Sequence, residues 1–83
     1  MITCAVSAVG RDGPDKDRAG VDLLMQAYAG LMSITGEADG EPVRTGTSVV
    51  DLTTGANAAQ GILAALYVRE RTGRGQRVDV SLL

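Results

Sequence analysis

The sequence contains no histidine, phenylalanine or tryptophan and only one cysteine, and each of these absences limits what the chain can do. Without histidine there is no Ser–His or Cys–His nucleophile and no imidazole proton shuttle, so carboxylates, lysine, tyrosine or backbone groups must carry any chemistry. The lone Cys4 excludes an internal disulfide and a cysteine-based metal cluster, and we expect no metal. Since Phe and Trp are missing, the core must consist of Leu, Val, Ile, Ala and Met.

Charge and hydropathy argue against two classes of partner. Eight basic and ten acidic residues give a formal net charge of −2 without a long block of one sign, so we expect neither a nucleic-acid-binding nor a membrane-surface protein. A local basic cluster remains compatible with these numbers. No segment approaches the roughly 18 consecutive apolar residues of a spanning helix, and the N-terminus lacks the pattern of a secretory signal. We therefore expect a cytoplasmic protein.

Periodicity and turn-forming residues divide the chain into four elements. At 83 residues it forms one domain at most, and folding at this length buries only about 60–65% of the surface that the unfolded chain exposes. The patterns predict a strand over 2–9, a loop over 10–20, a helix over 21–34, a loop over 36–46, a helix that follows position 51 and runs to about 71, and a strand over 77–83. Two strands joined by helical crossovers imply a parallel α/β sheet, which normally has more strands and helices on both faces. We therefore expect a sheet that is incomplete in one chain, with a partner copy to complete it or with exposed apolar faces.

The segment TSVVDLTTG places a single carboxylate, Asp51, just before the second predicted helix. Either Asp51 is the N-cap of that helix, or it is a reactive carboxylate whose ionised form is stabilised by the helix amides and dipole. Spacing alone favours the cap. Small residues along the same helix, among them Gly55, Ala58 and Gly61, predict that it packs closely against another backbone or a ligand.

Other features have bland interpretations. Gly10 and Gly13 in GRDGP, like the glycines of TGRGQ, predict turns, since neither pair leads from a strand into a helix with the spacing of a phosphate-binding loop. Cys4 lies in an apolar strand and is interpreted as an inert core thiol. Tyr28 and Tyr67 are interpreted as packing residues.

Three stretches together resemble a central segment of the class III CoA-transferases, the group that includes carnitine-CoA and formyl-CoA transferases. They are SAVGRDGP, GVDLLMQAYAGLMSITGEADGEPVRTGTSVVDLTTG and GILAALYVRERTGRGQRVDVSLL, and they cover nearly the whole chain in the family's order and spacing. The resemblance implies a Rossmann-like large domain, of which residues 1–83 form a single partial domain. It also implies either a homo-oligomer, a dimer whose chains interlock, or complementary segments that are missing from these residues.

The resemblance implies that Asp51 is the catalytic carboxylate. It would attack an acyl-CoA thioester to give an aspartyl mixed anhydride, through which CoA passes to a small carboxylic acid. Coenzyme A is then a substrate, and no cofactor is bound covalently. Independent turnover by these 83 residues alone is doubtful, and the alternative is a non-catalytic remnant or an oligomerisation module.

Three further residues are candidates for binding the substrate. Asp22 matches an acid that the family often has near its active site; the alternative is a first-turn charge on a solvated helix face. A lysine that holds CoA phosphates in some members is missing at Ala19, and Lys16 and Arg18 can substitute for it, because a phosphate contact needs charge more than one geometry. The alternative is solvated loop charges. Val21 stands where related racemases have a histidine, which disfavours racemisation.

Overall fold

The computed structural model describes residues 1–83 as two strands and two helices in the predicted order. The elements are β1 Thr3–Ser7, α1 Asp22–Tyr28, a 3₁₀ turn Leu31–Ile34, α2 Val49–Thr72 and β2 Arg77–Ser81. The strands pair in parallel, with Thr3 opposite Arg77 and Ser7 opposite Ser81. The predicted α/β order of strand, helix, helix and strand is confirmed, and the sheet has only these two strands.

The prediction of one continuous helix over 21–34 is wrong, because the structure has two separate elements there. Gly30 adopts φ 88°, in the left-handed region that a residue with a Cβ rarely occupies, so α1 ends at Tyr28. The chain then continues as the 3₁₀ turn Leu31–Ile34. The apolar periodicity runs through both pieces because a 3₁₀ turn repeats at nearly the same spacing as an α-helix.

The second helix starts earlier than predicted. It begins at Val49, and Ser48 occupies the N-cap position without a side-chain hydrogen bond. Asp51 is therefore the third helical residue, and its interpretation as the N-cap is wrong. At the other end, Gly73 adopts φ 74° and its N–H donates to the carbonyl of Arg69 at 2.7 Å, which confirms the predicted left-handed stop.

Helix α2 lies on the sheet through its smallest residues. Ala65 is fully buried, and a Cβ placed on Gly61 would lie 2.7 Å from a methyl carbon of Val78 in β2. By contrast, Leu52 and Leu63 remain 64% and 65% exposed. The predicted close packing is confirmed at Gly61 but not at Gly55, where no atom lies within 4 Å of the Cβ position.

Much apolar surface is left open. Met25 and Ala65 are the only buried apolar residues, and the chain extends over 54 × 25 × 14 Å. Cys4 is exposed, so its interpretation as a core thiol is wrong: α2 packs mainly over β2 and leaves this part of β1 uncovered. These exposed apolar surfaces agree with the expectation of an incomplete sheet.

None of the helices combines the length and apolar content needed to span a bilayer.

The close approach of α2 to β2 predicts different effects of one substitution at two glycines. Both Gly61→Ala and Gly55→Ala gain helix propensity of about 1 kcal/mol. Only the Cβ at position 61 overlaps Val78, since nothing lies within 4 Å of the Cβ position at 55. We expect Gly61→Ala to be less stable than Gly55→Ala by about 1–3 kcal/mol in urea unfolding followed by circular dichroism. Equal stabilities would contradict this packing.

Candidate functional site

A buried carboxylate connects the two helices. Asp22, the first residue of α1, is only 8% exposed. Its Oδ2 accepts a hydrogen bond of 2.9 Å from the backbone N–H of Asp51 in the first turn of α2. That N–H has no partner within its own helix, as for all donors of a helix's first turn. Asp22 therefore accepts a hydrogen bond from a free N–H at the start of α2, whereas the side chain of Ser48 accepts none.

Gln26 holds Asp22 from the other side. Its Nε2 donates to Asp22 Oδ1, and its Oε1 accepts a 3.0 Å hydrogen bond from the backbone N–H of Thr45 in the loop before α2. Gln26 is 2% exposed, so both ends of its amide are used inside the protein. We call Asp22, Gln26 and the N–H groups of Thr45 and Asp51 the Asp22 clamp. It joins α1, the preceding loop and α2 through a continuous set of hydrogen bonds.

The clamp stabilises the charged form of Asp22. The hydrogen bond from the Asp51 N–H lowers the pKa of the Asp22 carboxyl below its ordinary value of 3.8, against the opposing effect of burial. The amide of Gln26 and the N–H of Val50 lower this pKa further. The interpretation of Asp22 as a charge on a solvated face is wrong. Whether it also contacts substrate stays a prediction, but both of its oxygens are engaged by the protein.

Asp51 combines a fixed backbone with an accessible side chain. The residue is exposed, and among hydrogen bonds that involve side chains it takes part only through the N–H that donates to Asp22. Both ion pairs of the chain use Asp79, so the Asp51 carboxylate is also free of cations. Its place in the first turn of α2 favours negative charge. A carboxylate in this arrangement needs no general base to act as a nucleophile.

Two cavities lie beside the first turn of α2. A polar cavity of about 140 Å³ borders the clamp, and a more apolar one of about 230 Å³ lies between α2 and the chain after β2. The polar cavity is lined by Asp22, Leu23, Gln26, Arg44, Thr45, Gly46, Thr47 and Ser48. Arg44 is its only cationic residue, and the sequence analysis did not single it out.

The structure does not bring the two predicted phosphate-binding residues together. Lys16 lies beside Arg11 in one surface depression, whereas Arg18 lines another beside Leu24. The guanidinium of Arg18 is 5.1 Å from the centre of the Tyr28 ring, a cation–π distance. Neither Lys16 nor Arg18 lines the cavities beside α2.

Gln26 is the residue that the sequence analysis missed. An Asp and a Gln four residues apart on a helix form a recognised hydrogen-bonding pair, so the spacing of Asp22 and Gln26 was a usable signal. The contact of Asp22 with Asp51 had no such signal, because the two residues are 29 positions apart.

Comparison with known proteins places these residues in a family. The model of CoA-transferase family III matches residues 1–83. The chain is 52% identical over 82 residues to a formyl-CoA:oxalate CoA-transferase of Streptomyces avermitilis, covering 99% of this chain and 20% of the relative. It is 43% identical over 83 residues to a succinate–glutarate CoA-transferase of Agrobacterium fabrum, covering all of this chain and 21% of the relative. The crystal structure of a CAIB/BAIF family protein from Brucella suis superposes with a TM-score of 0.94 at 40% identity, over 99% of this chain and 22% of that one. The chain thus spans about a fifth of the length of the curated relatives it matches.

The lowered pKa of Asp22 predicts a specific dependence of stability on pH. A depressed folded-state pKa stabilises the protein above the unfolded value and loses that effect as pH falls through the folded value. We expect the loss of unfolding free energy between pH 7 and pH values below 3.8 to be smaller in Asp22→Asn than in the unaltered protein. Asp39→Asn, at an exposed carboxylate with φ 60°, a backbone conformation that Asn tolerates, is the matched control. Urea unfolding across this range measures the effect, and identical pH profiles for Asp22→Asn and the unaltered protein would contradict it.

Proposed function

Because the chain belongs to CoA-transferase family III, we propose that it carries the nucleophile of an enzyme that moves CoA from an acyl-CoA to a carboxylic acid. The observation that supports this proposal most is the state of Asp51: an exposed carboxylate, free of ion pairs, on a backbone held by the Asp22 clamp. Relatives at 43% and 52% identity are named as a succinate–glutarate CoA-transferase and a formyl-CoA:oxalate CoA-transferase.

In the proposed reaction one Asp51 oxygen attacks the thioester carbonyl carbon. The carbon–sulfur bond breaks, the CoA thiolate leaves, and the product is a mixed anhydride between Asp51 and the acyl group. The thiolate then attacks the aspartyl carbonyl and releases the donor acid as a carboxylate. The acceptor carboxylate attacks the carbonyl carbon of the resulting aspartyl thioester, whose carbon–sulfur bond breaks to give a second mixed anhydride and CoA thiolate. The thiolate then attacks the acceptor's carbonyl carbon, which forms the new acyl-CoA and releases Asp51 as a carboxylate. No step needs a proton, so the absence of histidine is no obstacle.

The mixed anhydride must be kept from water, or the thioester energy is lost by hydrolysis. Asp51 is exposed in this chain, so productive transfer requires that bound acyl-CoA or further protein covers it. Leu52, the neighbour of Asp51 in the chain, is 64% exposed and offers apolar surface for such a cover. The cytoplasmic location and the dimer that we expect from the sequence stay predictions.

The alternative, a non-catalytic module that packs with other protein, has its own support. Only two apolar residues are buried in this chain, and Leu52 and Leu63 are mostly exposed. A module of this kind would use α2 for assembly, and Asp51 would then form no covalent adduct. The two functions therefore differ in one measurable event, the acylation of Asp51.

Trapping the acyl enzyme tests the proposed function. The complete gene product is incubated with a saturating acyl-CoA, treated with hydroxylamine and analysed by intact-mass and peptide mass spectrometry. We expect a hydroxamate at Asp51 because hydroxylamine cleaves an aspartyl anhydride or thioester at its activated carbonyl.

Two variants sharpen that experiment. Asp51→Ala must form no hydroxamate, while Asp39→Asn, at an exposed carboxylate in the loop before α2, must form it at the unaltered level. A folded protein that gives no adduct at saturating acyl-CoA would favour the non-catalytic module.

The predicted roles of Lys16 and Arg18 lead to a separate test with CoA thioesters. If Lys16 binds a CoA phosphate, Lys16→Met raises KM for acyl-CoA about twofold to tenfold with little change in kcat, as expected for an exposed charge contact. Lys16→Arg should keep a low KM because it keeps the charge. Arg18→Met should raise KM similarly if Arg18 leaves Tyr28 to bind phosphate, and should leave KM unchanged if it stays on that ring. An unaltered KM in both Met variants would show that these side chains are solvated loop charges.

A further inference from the structure

We infer that Asp22 is a positioning residue for the nucleophile: through the Asp22 clamp its buried carboxylate fixes the backbone of Asp51 and so the direction from which the Asp51 carboxylate attacks. This inference rests on the proposed function. It assigns to Asp22 and Gln26 a role in the rate of acylation and no contact with the acyl-CoA.

Asp22 is the only residue whose side chain accepts hydrogen bonds from the free N–H groups at the start of α2. The N–H of Val49 donates to the carbonyl of Thr47, and the first regular helical hydrogen bond joins the N–H of Leu52 to Ser48. The N–H of Asp51 lies between these and would have no partner without Asp22. The backbone N–H of the residue that bears the proposed nucleophile thus depends on a side chain from another helix for its hydrogen bond.

The clamp allows only one arrangement of donors and acceptors. Gln26 must turn Nε2 toward Asp22 and Oε1 toward the N–H of Thr45. If position 22 carried an amide, either its NH₂ would face the NH₂ of Gln26, or a flipped Gln26 would present its NH₂ to the N–H of Thr45. One contact between two donors is then unavoidable at a site where Asp22 and Gln26 are more than nine-tenths buried.

The contacts of Asp22 favour a role in positioning Asp51 over a role in binding acyl-CoA. Both Asp22 oxygens accept hydrogen bonds from the protein, one from Gln26 and one from Asp51. A loosened clamp displaces the attacking carboxylate, and displacements of about 1 Å can cost about 100-fold in rate. The effect of Asp22 should therefore fall on the acylation rate and not on KM for acyl-CoA.

A pair of substitutions that exchanges the acid and the amide tests the inference in the complete gene product. Asp22→Asn and Gln26→Glu each create a mismatch, two donors in the first case and two carboxylates in the second. Together they restore every contact: the Asn NH₂ donates to Glu, the Asn oxygen accepts from the Asp51 N–H, and the second Glu oxygen accepts from the Thr45 N–H. The double variant also keeps the net charge of the unaltered protein.

We expect each single variant to acylate Asp51 at least about tenfold more slowly in single-turnover experiments, with KM for acyl-CoA within about twofold. The double variant should recover to within about threefold of the unaltered rate, a non-additivity that only directly interacting residues show. Amide hydrogen exchange provides a second measurement that needs no substrate. Protection of the Asp51 N–H should fall in both single variants and return in the double variant.

Each outcome has a definite meaning. Unaltered acylation in Asp22→Asn, a loss confined to KM, or a double variant no faster than the single ones would overturn the inference. If Asp22→Asn does not fold, the comparison of Gln26→Glu with the double variant carries the same test. Absence of the Asp51 adduct in the unaltered protein overturns the proposed function instead, and the exchange data then still decide whether the clamp exists.

Discussion

The hydrogen bond from the backbone N–H of Asp51 to the buried carboxylate of Asp22 is the constraint on which the geometry of this site depends. An ionised carboxylate leaves water only if other donors replace its hydration, and here they come from Gln26 and from the first turn of α2. The same bond satisfies a helix donor that would otherwise lack a partner. Asp22 and α2 therefore stabilise one another, and the position of Asp51 follows from that mutual dependence.

A second constraint acts along α2, at its face toward the sheet. Ala65 is fully buried and Gly61 lies so close to Val78 that a Cβ would overlap it, so α2 packs closely on β2 along this part of its length. The Asp22 clamp fixes the N-terminal end of α2, and the packing of Gly61 and Ala65 on the sheet fixes its middle. Two separated contacts fix both the distance and the direction of a helix, whereas either alone would let it pivot. The backbone of Asp51 is therefore tied to α1 through Asp22, although its side chain is exposed.

The elements were predictable from the sequence to the extent that their causes are local. Alternation marked β2, and Gly73 marked the end of α2, because pleating and left-handed backbone depend on near neighbours. The break at Gly30 was missed because apolar periodicity continues beyond it into a 3₁₀ turn. The exposure of Cys4 and the pairing of Asp22 with Asp51 depend on how distant elements meet, and no pattern within either segment records that.

The Asp22 clamp also changes how the acid in the first turn of α2, Asp51, is explained. The sequence predicted that the backbone N–H groups of this turn stabilise the Asp51 carboxylate. In the structure the N–H of Asp51 donates to the Asp22 carboxylate, and the N–H of Val50 also acts on that group. The two acids are thereby divided: one takes the hydrogen bonds of the helix terminus and is buried, and the other keeps its oxygens accessible. Hydrogen bonds to a carboxylate stabilise its charge and so weaken it as a nucleophile. An acid relieved of them by a neighbour, but still fixed through its backbone, is better suited to attack a thioester than one that caps its own helix.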